Sequence, residues 1–101
     1  MDRPGIVQAY SVLVGEAVTE QHPARGFFTD RFAGLRAMIA EALAEATDRK
    51  IDDEDISAGA SAVIGVMDGL QLQWLLDPQS IDMRNALRLT IDSVVRQLRR
   101  S

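Results

Sequence analysis

A chain of 101 residues with 47% hydrophobic content makes one domain, too short to cover all of its apolar surface unless it associates. Its 11 basic against 15 acidic residues leave a net charge of −4, the wrong sign for a domain that grips phosphates by itself. With no cysteine there can be no disulfide, thiolate nucleophile or zinc finger, and the absence of a basic segment followed by an apolar core at the N-terminus leads us to expect a cytoplasmic chain.

The first predicted helix runs from Pro4, tolerated in a first turn, to about Gln21. Ile6, Tyr10, Leu13, Val14, Ala17 and Val18 recur at helical spacing, and Val7, Ala9 and Val12 widen the apolar arc, so this helix is expected to be central. His22-Pro23 ends it, because the residue before proline is pushed out of the α region. His22 reads as a junction residue; it has no second histidine or cysteine with which to build a metal site or a catalytic pair.

A second helix is predicted over Ala24–Ala46, where Phe28, Phe32, Leu35, Ile39 and Leu43 form one stripe flanked by Phe27, Met38 and Ala42. Gly34 allows a close approach or a bend, which leaves open one helix or two here and sets the expected architecture at an all-α bundle of four to five helices. Thr47 to Asp55 (TDRKIDDED) is apolar only at Ile51 and reads as a solvated loop. Its acidic end places Asp53, Glu54 and Asp55 in the first turn of the next helix with Asp52 as candidate N-cap, since carboxylates satisfy unpaired N–H groups there. The cluster lacks the alternating ligands, central glycine and final glutamate of a calcium loop.

The stretch Asp55 to Pro78 is predicted as one long helix buried on two faces. At about 100° per residue, Ile56, Ala60, Val63, Met67, Leu70 and Trp74 lie along one line, a large and adaptable face. Ala58, Ala62, Gly65, Gly69, Leu72 and Leu76 lie on the opposite side, where small residues admit another backbone. Each of the two glycines costs the helix roughly 1 kcal/mol against alanine, so their GxxxG spacing implies compensating packing. It is not a membrane motif: Asp68 and its polar neighbours interrupt the run, and no window approaches about 18 apolar residues. Asp68 lies on the shoulder between the faces and reads as a partly exposed carboxylate.

After Asp77-Pro78-Gln79, Ser80 or Asp82 is expected to cap a last helix running to about Arg99. Met83, Leu87, Thr90, Ile91, Val94 and Leu98 give it a single apolar stripe, and Arg96, Arg99 and Arg100 fall at the end that favours cations. No GxxxxGK, GxSxG, HExxH or CxxC motif occurs, so neither enzyme activity nor a cofactor or metal is expected.

Four helices in this order resemble the C-terminal ligand-binding and dimerisation domain of TetR-type bacterial transcriptional regulators. The likeness rests on the PGIVQAY opening, the HPARGFFTDRF junction, the character of Val66 to Pro78 (VMDGLQLQWLLDP), and the DMRNALRLTIDSVVRQL ending, and so spans essentially the whole chain. It implies that the last two helices pair with their two-fold mates as a four-helix bundle, and that the earlier helices enclose a small-molecule pocket. On that reading Tyr10, Leu13, Phe28, Phe32, Met38, Met67, Leu70, Gln71 and Trp74 line a site for a small apolar or amphipathic effector. The residues by themselves fit an ordinary closed core as well, with Gln71 the polar group that needs a partner. The homodimer interface would comprise Ala58, Ala62, Gly65, Gly69, Leu72, Leu76, Leu87, Ile91 and Val94. The family's N-terminal helix-turn-helix is not among these residues, so DNA contact is expected only through a domain outside them. The alternative is a stand-alone helical dimerisation or interaction module that binds neither ligand nor DNA.

Overall fold

The computed structural model describes residues 24–100, which form three helices: α1 over Arg25–Thr47, α2 over Glu54–Leu76 and α3 over Met83–Arg100. There is no strand among the described residues. The first predicted helix, with Tyr10, Leu13, His22 and Pro23, lies outside them.

The phenylalanine and leucine stripe makes α1. Phe28 and Leu43 are buried and Phe32, Leu35 and Ile39 half-buried along one line. The helix passes through Gly34 without a break, and no described atom lies within 4 Å of where a Cβ would stand there, so Gly34 does not divide the segment and no described residue packs closely on it. It stops where Asp48 turns left-handed at φ 56°, its N–H bonded to the Ala44 carbonyl. The Arg49 N–H reaches the same carbonyl at 3.1 Å, and Thr47 Oγ1 donates to the Leu43 carbonyl at 2.6 Å.

The N-cap of α2 is Asp53, one residue later than the expected Asp52. The reason is the turn before it: the Asp53 N–H bonds the Lys50 carbonyl at 3.0 Å, which leaves Asp53 extended (ψ 131°) with its Oδ1 2.8 Å from the Asp55 N–H. Glu54 and Asp55 then occupy the first turn, where the exposed N–H groups favour negative charge. At the far end the Asp77 N–H closes on the Gln73 carbonyl, and Pro78, lacking an N–H, cannot continue. Asp82 caps α3, its Oδ1 accepting from the Asn85 N–H at 3.0 Å; Ser80 belongs to the preceding turn, donating to the Asp77 carbonyl at 2.9 Å.

The core sits where the C-terminal end of α1, the N-terminal half of α2 and the C-terminal end of α3 converge. Leu43, Ile56, Ala60 and Leu98 are buried together, with Ile39, Ala40, Ala44, Val94 and Val95 packed on them. Ile56 is fully enclosed, and burial of such a side chain contributes about 1.5–3 kcal/mol. Gly59 is the tightest point: a Cβ there would stand 3.1 Å from Val94 Cγ1, 3.3 Å from Leu43 Cδ1 and 3.7 Å from Leu98 Cδ1. Three helices meet at this depth because one of them has no side chain there.

Candidate functional site

The two faces of α2 separate as their residue types require. On the face turned into the chain Ile56, Ala60, Val63 and Leu70 are buried, and Met67, Gln71 and Trp74 half-buried. Ile64, outside the stripe read from the sequence, is buried as well at 7% exposure, so the enclosed arc is wider than expected.

Because α1 and α2 form an antiparallel pair joined by a short loop, the phenylalanine half of α1 lies toward the C-terminal half of α2. Phe28 is buried and Phe32 half-buried on that side. The Phe28 ring meets Phe27 edge-on, centroids 5.1 Å apart, while Phe27 itself is largely exposed. Met38 is 63% exposed, a correction to its expected place among the inward residues: one position before Ile39, it is turned about 100° off the buried line. Tyr10 and Leu13 lie outside the described residues. The polar groups of this half are Gln71 and Asp68, both partly buried. Burial pushes the Asp68 carboxyl above its ordinary value, against the opposing pull of the Arg31 guanidinium.

The opposite face of α2 is open. Ala58, Ala62 and Gly65 are exposed, Gly69 is half-exposed, and Leu72 and Leu76 stand 51% and 87% exposed. No described atom lies within 4 Å of a Cβ built on Gly65 or Gly69, so the close packing implied by their spacing is not made within the described chain. Between this face and α3 runs an open, mainly apolar groove of about 450 Å³, with Ala58, Ala62, Ser93 and Gln97 along its sides and Asp55 at its mouth.

The apolar stripe of α3 is used differently from expectation. Val94 packs into the core against Gly59, and Leu87 is half-buried, whereas Ile91 remains 36% exposed. Val94 therefore packs into the chain's own interior beside the Gly59 gap and also borders the groove. The residues of α3 that border the groove are Ser93, Val94, Gln97 and Leu98, of which Ser93 and Gln97 escape a search for apolar periodicity.

Arg49 is a second omission. Its Nη2 lies 2.7 Å from Asp53 Oδ2 and 3.4 Å from Asp55 Oδ2, its Nε donates to Asp53 Oδ2 at 3.1 Å, and its Nη1 donates to the Leu98 carbonyl at 2.8 Å. The backbone N–H of Asp55 and the Arg49 guanidinium together hold the Asp53 carboxyl below its ordinary value of 3.8. Arg99 Nη2 meanwhile donates to the Ala46 carbonyl at 3.0 Å, so two arginines fasten the ends of all three helices.

Among the described residues no three His, Cys, Asp or Glu side chains converge on a metal-sized site, and no helix is long and apolar enough to cross a membrane. A family model described as BetI-type transcriptional repressor, C-terminal, matches residues 2–99. No curated protein and no solved structure matches the chain.

Proposed function

The chain belongs to the family of BetI-type repressor C-terminal domains, a branch of the TetR-type regulators, and from that premise we propose that it is the effector-sensing and dimerisation part of such a regulator. The family match over residues 2–99 carries the reading. The inner face of α2 supports it: Met67, Leu70 and Trp74 supply adaptable apolar surface, the Gln71 amide supplies a polar contact, and Phe28 and Phe32 approach from α1. Tyr10 and Leu13 complete the proposed lining. The effector is then a small apolar or amphipathic molecule, and the protein works in the cytoplasm without catalysing a reaction. DNA is contacted by an N-terminal helix-turn-helix beyond these residues. An effector acts only by binding one arrangement of the pocket helices more tightly than the other, and the dimer passes that preference to the DNA-binding domains.

The exposed outer face of α2 favours a second reading, a helical dimerisation module without effector. A native mass spectrum followed by a denaturing one separates the two. The sensor reading expects a dimer carrying extra mass that is lost on denaturation, or one that gains mass when incubated with a panel of small amphipathic molecules. A dimer that takes up none of them supports the bare module, and a monomer removes both.

A further inference from the structure

The last helix carries charge of the opposite sign to the chain as a whole. Five arginines and one aspartate give α3 a net +4, in a chain of −4. Arg96, Arg99 and Arg100 stand in its final turns, at spacings of three and four that put Arg96 beside each of the other two. With Asp92 and Val95 they line an open hollow of about 470 Å³, the volume of a small-molecule site. We propose that this hollow binds a small oxyanion of two or more charges, a phosphate- or carboxylate-bearing molecule. The site is separate from the proposed effector lining: the end of α3 meets the N-terminal half of α2, whereas Met67, Gln71 and Trp74 lie on its C-terminal half.

Arginines near a helix C-terminus ordinarily answer its unpaired carbonyls. Here other groups take part of that role, and two of the three arginines are not used for it. The Leu98 carbonyl accepts from Arg49 Nη1 at 2.8 Å, and Arg99 Nη2 reaches across to the Ala46 carbonyl at the end of α1, 3.0 Å away. Arg96 and Arg100 have no hydrogen-bond or ion-pair partner among the described residues. Asp92, the carboxylate of the hollow, is already engaged by Arg88 Nη1 at 3.2 Å. Three guanidiniums against one carboxylate leave a local charge of +2, and like charges one turn apart repel. A multivalent oxyanion relieves that repulsion, because the planar fork of each guanidinium matches a carboxylate or phosphate edge. An anion lodged there also fixes Arg99 over the end of α1, and so stabilises the junction where α1 and α3 end.

The test follows the melting of the full chain, and its calorimetric titration, as pyrophosphate or citrate replaces sodium chloride at constant ionic strength. Both salts stabilise any protein by exclusion from its surface, so a bound anion is distinguished by a rise that saturates. The parent chain is expected to show that saturable rise, and so is Arg36→Gln, which removes an exposed arginine of α1 away from the hollow. Arg100→Gln and the double variant Arg96→Gln, Arg100→Gln should bind about tenfold or more weakly for each arginine removed. Both positions are exposed, so the variants should melt without anion no lower than the parent. A response to pyrophosphate alone supports the site and assigns it to phosphate, and one to both anions supports it for paired oxyanions in general. A rise that stays linear, an equal rise in the double variant, or none in the parent overturns the proposal.

Discussion

Arg49 shows how one side chain can join parts of the chain far apart in sequence. It draws on the Asp53 and Asp55 carboxylates and on a carbonyl 49 positions away, at Leu98, and remains only 18% exposed while doing so. Asp53 is the other half of the arrangement, since the same carboxyl caps α2 and receives the guanidinium. Its ionised form is favoured in the folded state, so its contribution to stability is present above pH 3.8 and is lost as pH falls through the depressed folded value. Asp53→Asn keeps a capping oxygen and removes the charge. Thermal melts of this variant should therefore lie below those of the parent at neutral pH and converge with them in acid; curves that stay parallel over the whole range would mean that the ionised carboxyl contributes nothing. The cap was legible to within one residue, because acidic residues before an apolar run mark a helix start. The reach to Leu98 was not, because only the folded chain brings the α1–α2 loop to the last turn of α3.

Among the elements, α2 holds two kinds of glycine that the sequence does not distinguish. Gly65 and Gly69 carry the recognisable spacing yet have no described atom close to them, whereas Gly59, with no motif to mark it, lies where Leu43, Val94 and Leu98 converge. Gly59→Leu should destabilise the chain by about 1–3 kcal/mol through overpacking, measured by urea unfolding. Gly65→Leu should leave the fold of the single chain intact, its added helix propensity worth roughly 1 kcal/mol in its favour, and should instead weaken association, seen as a fall in mass by light scattering. If both variants lost the same stability while remaining dimeric, the assignment of the two faces would be wrong. The existence of α1 and its stripe follow from local spacing, and Leu43 and Phe28 are buried as that spacing requires, whereas its continuity through Gly34, left open by the sequence, is decided by the structure. The exposure of Met38 shows the limit of such reasoning: an apolar residue flanking a stripe is buried only if a neighbouring element extends over it.

Taken whole, the described part of the molecule leaves Phe27, Met38, Ile51, Leu72, Leu76 and Leu89 more than half exposed. Leu72 and Leu76 are adjacent on one helix face, which singles them out from scattered surface residues. If two copies cover that face, folding and association are linked, and the melting temperature should rise with protein concentration. Leu72→Asp together with Leu76→Asp should abolish that dependence at little cost to the isolated fold, because both side chains already stand mostly in solvent. A concentration-independent melt in the parent chain would argue against association through this surface.

The sequence by itself determined the all-helical class, the segments now seen as α1, α2 and α3, the division of α2 into a large face and a small one, and the family, because these depend on periodicity, caps and short motifs that act over a few residues. Only the tertiary structure decided which glycine is pressed between helices, that Val94 packs against the chain's own core, and that Arg49 ties the start of α2 to the last turn of α3. Those facts depend on distances between residues roughly 15 to 50 positions apart. Such distances are set by how the helices cross, which helical periodicity alone does not encode.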